Sequence, residues 1–191
     1  MEELEARARR ARRRTLLVAV AGLVAGAALG WSLPHHGTTA RAIQIVGWTI
    51  TVAGLSGTFS VVWTTTALAA HVRFPLRSLT REASRFLQKS VYTGQPIVPP
   101  ESELARRAFD YARVVRVYGP LEVTQFFLLF AGLGGLQLAR LSDDGGFVTV
   151  LSRATSGLLV IAAVVVTLVW RRRLAGTRRY LRTVVESALP R

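Results

Sequence analysis

Runs without charge punctuate this sequence. Thr15–Leu33 is 19 residues with no charged side chain, and Ile43–Ala70 is 28. Leu121–Ala139 is 19 residues interrupted only by Glu122, and Phe147–Trp170 is 24 interrupted only by Arg153. A helix needs about 20 apolar residues to cross the hydrocarbon core of a bilayer. The pattern therefore predicts four transmembrane helices, at 15–33, 43–70, 121–139 and 147–170. A helix of a soluble core keeps a polar face, and Leu158–Val169 has almost none. The first run also has features of a cleaved signal, with a basic segment before it and the small residues Ala25-Gly26-Ala27 near its end. Three further runs favour reading it as a span. The expected fold is all-α, a polytopic four-helix bundle.

The polar remainder has its own periodicity. After the second run, Arg73, Arg77, Arg81, Arg85 and Lys89 recur at every fourth position. On a helix, positions four apart lie one above the other, so these five are expected to form one slanting basic stripe. Leu76, Leu79, Ala83, Phe86 and Leu87 would form the apolar face beside it. The segment Thr93–Pro100, with Gly94, Pro96, Pro99 and Pro100, predicts a break. A second helix is expected from about Glu101 to Tyr118, with Leu104, Ala108, Tyr111, Val115 and Tyr118 as its apolar seam. The N-terminus (1–14) and the tail (171–191) are also basic and helix-prone. The tail's Leu174, Leu181, Val184 and Val185 suggest another amphipathic helix, lying on a membrane surface.

A helix, a proline-containing connector and a second helix placed directly after a span resemble the HAMP relay modules of membrane receptors. The likeness rests on PLRSLTREASRF (Pro75–Phe86) and ELARRAFD (Glu103–Asp110), under a quarter of the chain. It implies a signal-relay or partner-docking role for the 71–120 loop. The chain departs from that family in placing another span where such receptors carry an output domain. Four spans with the long loop after the second also look like the stator family of proton-driven motors, whose loop is far longer.

Charge fixes an expected orientation. The net charge is +14, from 25 basic and 11 acidic residues, and Lys89 is the only lysine. Of the basic residues, 22 fall in 1–14, 71–120 and 171–191, against Arg41 and Arg140 in the two short loops on the other side. Loops rich in Arg and Lys stay in the cytoplasm. Both termini and the long loop are therefore expected inside, in a multi-pass protein of the inner (plasma) membrane of a GC-rich bacterium. Each basic residue near an anionic leaflet contributes about 1 kcal/mol, so anionic lipid is the expected partner of the basic stripe, with an acidic protein as the alternative.

Within the spans, Gly22, Gly26 and Gly30 make a GxxxGxxxG groove that invites close helix packing, either within the chain or between copies. Thr51, Thr58 and Thr65 trace a hydroxyl stripe that could line a polar path or bond its own helix. Arg153 and Glu122 are the intramembrane charges, and such charges are functional candidates by default. Arg153 is expected to snorkel outward toward Asp143 or Asp144, and Glu122 to lie at the inner interface.

Chemistry is sparse. The absence of cysteine excludes disulfides, thiolate nucleophiles and Cys-ligated metals. His35 and His36 are adjacent, which makes joint metal ligation awkward, and no phosphate-binding or nucleophile–base pattern is present. No cofactor, metal or catalytic residue is expected, and nucleic-acid binding is disfavoured because aromatic residues are not interleaved with the arginines. The sequence thus points to a non-enzymatic, oligomeric membrane component: a small channel or transport protein, or a structural subunit of a membrane complex. Signal relay or docking through the basic loop is the alternative.

Overall fold

The computed structural model describes the backbone of residues 2–34, 37–140 and 146–188, and the side chains of these except 67–71, 73, 147–149, 187 and 188. His35, His36, Asp143, Asp144 and the side chains of His71 and Arg73 therefore lie outside the described residues. Five α-helices account for almost all of the chain: α1 Glu2–Ser32, α2 Thr38–Arg73, α3 Arg81–Thr93, α4 Glu103–Ala139 and α5 Gly146–Ala188, with a 3-10 turn at Phe74–Leu76. No strand occurs among the described residues. Four of the helices (α1, α2, α4 and α5) are long and apolar enough to cross a membrane.

The chain forms two compact units. The apolar unit draws on residues 9–64 and 123–166, and the basic unit on residues 1–8, 65–122 and 167–191. Helices α1, α2, α4 and α5 each contribute residues to both.

In the apolar unit, backbones meet at glycines. A Cβ at Gly26 of α1 would lie 2.6 Å from Trp48 O of α2, and one at Gly30 would lie 2.7 Å from Ile45 Cα. At Gly22 it would meet Ala53 Cα at 2.8 Å. The opposite flank of α2 meets α4 in the same way: a Cβ at Gly54 would be 2.6 Å from Gly132 Cα, and one at Gly135 would be 2.7 Å from Thr51 N. Thr51 and Thr58 donate to the carbonyls of Gly47 and Gly54 on their own helix, each at 2.8 Å. Their hydroxyls are thus used inside α2. Ser152 of α5 donates to Gln137 Oε1 of α4 at 2.9 Å. Leu158, Ile161 and Val165 of α5 and Leu17 and Val24 of α1 are exposed, as lipid-facing side chains are.

The basic unit has a core like that of a small soluble domain. Leu87 and Val91 of α3, Ile97 of the connector, Ala108, Tyr111 and Val115 of α4, and Tyr180 and Leu181 of α5 are buried together. The helix ends are capped. Thr80 accepts from the Ala83 N–H at 3.3 Å to start α3. Gly94, with φ +76°, ends it by donating its N–H to Ser90 O. Ser102 accepts from the Ala105 N–H at 3.2 Å and opens α4. Arg107 donates to Glu103 at 2.9 Å and to the Arg77 carbonyl at 2.9 Å, fastening the Phe74–Ser78 turn to α4.

Three local expectations change. The five-residue basic stripe does not lie on one helix: α2 ends at Arg73, Pro75 sits in the 3-10 turn, Ser78 takes a positive φ of 66°, and only Arg81, Arg85 and Lys89 share α3. The second loop helix does not stop at Tyr118, because α4 continues through Pro120. Proline there removes one backbone donor, but buried Val115 and Leu121 on either side tie both halves of the helix into packing. The tail is not a separate helix but the end of α5, where Leu181 is buried, Leu174 and Val184 are half-buried and Val185 is exposed.

Candidate functional site

One cavity in the basic unit gathers polar and aromatic side chains from three helices. It measures about 250 Å3 and is lined by Tyr92 of α3, Tyr111, Tyr118 and Glu122 of α4, and Trp170 and Arg173 of α5, with Val72 of α2 at its wall. Helical spacing accounts for the α4 set. Tyr111, Tyr118 and Glu122 stand 7 and 4 residues apart, which places them on one face. Trp170 and Arg173 are three apart on α5 and share a face there. Tyr92 is brought in by the close crossing of α3 with α5. A Cβ at Gly176 would collide with the Tyr92 carbonyl, so no other residue fits at that point without a shift.

The tyrosines are coupled. The Tyr92 and Tyr111 hydroxyls are 2.7 Å apart, and their rings meet edge to face with centroids at 6.2 Å. Burial pushes the Tyr111 phenol well above its ordinary range, and the neighbouring Tyr92 adds to this. The proton stays on, so the pair can donate as well as accept. The Arg173 guanidinium carbon lies 5.1 Å from the Tyr92 ring centre and 5.6 Å from that of Trp170, within the reach of cation–π attraction. Arg173 of α5 and Glu122 of α4 both line the cavity. Neither enters an ion pair within 4 Å, since the ion pairs among the described residues are Glu3–Arg7 and Glu103–Arg107.

The sequence-derived candidates are placed as follows. Arg77, Arg81, Arg85 and Lys89 are exposed. Gly22, Gly26 and Gly30 lie against α2 in the apolar unit. Arg153 is exposed on α5 in the apolar unit, while Glu122 belongs to the basic unit. Tyr92, Tyr111 and Arg173 were not among the candidates. Tyr111 reads as an apolar seam position and Arg173 as one of a run of tail arginines. The signal that would have found the site is the helical spacing of Tyr111, Tyr118 and Glu122, once the helix is continued through Pro120.

Two larger grooves, each of about 470 Å3, lie in the same unit. One is mostly apolar, with Ile97, Phe109, Tyr180 and Val184 in its wall and Arg106 and Asp110 at its edge. The other includes Phe74, Arg77, Arg107 and Arg113. The chain matches no protein-family model, no curated protein and no solved structure.

Proposed function

We propose that this chain is a multi-pass inner-membrane subunit that docks partners through its basic unit, with both termini and the 71–120 loop in the cytoplasm. The observation carrying this reading is the contrast between the two units. The glycines and threonines that suggested assembly or a polar path are engaged in packing and backbone bonds within the apolar unit. The basic unit instead has a folded core and leaves Arg77, Arg81, Arg85 and Lys89 exposed and free of side-chain partners among the described residues. Closely spaced like charges repel one another, so such a surface favours an anionic counterpart. An acidic protein face, and the anionic leaflet beside it, supply one.

Replacing Arg77, Arg81 and Arg85 together by Gln tests this. Partner recovery in pull-downs from membranes should be lost while insertion and the melting temperature hold. If only lipid association changes, docking is wrong and the surface serves as a membrane grip.

A channel or transport role is the second reading, and Arg153 favours it, standing exposed seven residues into α5. That reading predicts conductance in planar bilayers that Arg153→Ala abolishes, and a homo-oligomer in mild detergent.

A further inference from the structure

The Tyr–Arg–Glu cavity lies at a particular level along its helices. Val72 follows the 43–70 apolar run of α2 by two residues, and Glu122 is the second residue of the 121–139 run of α4. Trp170 closes the 147–170 run of α5, and Arg173 lies three residues beyond it. All three helices therefore line the cavity where an apolar run meets polar sequence. In a spanning helix that is headgroup depth, where Tyr and Trp rings with one apolar and one polar end are favoured.

The lining carries both signs of charge and keeps them apart. Arg173 is held over two rings, which presets a guanidinium that would otherwise be mobile. In the Tyr92–Tyr111 pair one hydroxyl donates to the other, so one O–H is left to donate elsewhere. Guanidinium and phenol suit a phosphate oxygen, and the Glu122 carboxylate suits an ammonium N–H. A volume of about 250 Å3 equals the liquid share of about eight water molecules. Phosphoethanolamine has about as many non-hydrogen atoms.

We propose that this cavity binds a phosphate ester bearing a primary amine, namely the headgroup of a zwitterionic phospholipid, with phosphate toward Arg173 and the Tyr pair and ammonium toward Glu122. A purely anionic headgroup would leave Glu122 facing negative charge. A quaternary ammonium has no N–H for Glu122 to accept. The site therefore ranks phosphatidylethanolamine above both phosphatidylglycerol and phosphatidylcholine. This site is separate from the exposed arginines of the docking reading and stands or falls without them.

The test uses the delipidated full chain in detergent, titrated with each of the three lipids and followed by native mass spectrometry and thermal unfolding. Phosphatidylethanolamine should bind saturably, about tenfold tighter than the other two, as one charge-assisted hydrogen bond implies. Glu122→Gln should bring phosphatidylethanolamine down to the level of phosphatidylglycerol. Arg173→Gln should weaken both. Arg173→Lys keeps the charge but loses the planar fork, leaves the fold intact, and should bind phosphatidylethanolamine several-fold more weakly. Soluble glycerophosphoethanolamine that competes would show that the headgroup alone suffices, whereas binding of the lipid alone would show that acyl chains contribute. Either result supports the site. Tighter binding of phosphatidylglycerol by the wild-type chain, a phosphatidylethanolamine preference that survives Glu122→Gln, or binding of both lipids unchanged by Arg173→Gln, would overturn it.

Discussion

Gly176 is the position where a single methyl group matters most. Its missing Cβ lets α5 lie against the Tyr92 carbonyl at the end of α3. Gly176→Ala should lower stability by about 1–3 kcal/mol, the range for overpacking a filled site, as measured by thermal unfolding. Gly157→Ala on the same helix, where a Cβ meets nothing within 4 Å, is the control and should not destabilise. The buried tyrosines make a prediction about pH. Burial raises the phenols of Tyr111 and Tyr180 above their ordinary value of 10.0. The folded state then holds protons that the unfolded chain releases above about pH 10. Stability from these groups is complete below that pH and is lost progressively as pH rises beyond it. The melting temperature should fall in alkaline solution, and fall less steeply in Tyr111→Phe. At this scale the sequence was only half legible. Tyr111 was readable as a buried seam position from its spacing, but its hydroxyl partner Tyr92 lies 19 residues away on another helix. No local pattern encodes that pairing.

Among the elements, the apolar cores of the helices were legible and their ends were not. Run length reveals a span because the bilayer imposes a minimum. A helix end depends instead on whether a cap or a packing contact prevails. Thr80 and Gly94 show caps prevailing. They cut the regular fourfold spacing of basic residues and define a helix of 13 residues. Thr80→Ala should cost about 1 kcal/mol through the lost N-cap. Gly94→Ala should cost a similar amount, because φ +76° disfavours a side chain. Hydrogen exchange of the α3 amides should accelerate in both variants, with the first turn affected in one and the last turn in the other. Pro120 shows the reverse, with buried neighbours on both sides carrying α4 past a residue that ordinarily ends a helix.

At the scale of the molecule, positive charge is concentrated in the segments that make up the basic unit and its approach to the first span. The arginine census alone anticipated that asymmetry, because it needs only the positions of the arginines between the apolar runs and no packing. It did not reveal that 71–120 and the tail share a core, since an amphipathic face looks the same whether lipid or another helix covers it. Leu87, Val91 and Tyr180, each at most 1% exposed, resolve that ambiguity in favour of protein. The absence of cysteine makes the orientation directly testable. Single cysteines at Arg85 and at Thr39 should react with a membrane-impermeant maleimide from opposite sides, Arg85→Cys only after the cells are opened. Labelling of Arg85→Cys in intact cells would reverse the proposed topology.

The glycine contacts of the apolar unit bear on how this fold can drift. At Gly22, Gly26, Gly30, Gly47, Gly54 and Gly135 a Cβ would lie within 3.0 Å of a main-chain atom, which no compensating side-chain change can move aside. The outward apolar positions of α1 and α5, such as Val24 and Ile161, meet no such constraint. Their identities can exchange freely among aliphatic residues. A lineage built on this bundle would lose recognisable similarity over most of its apolar surface while retaining the intervals between its glycines. A distant relative would be known by the spacing of what is missing rather than by the residues it shares.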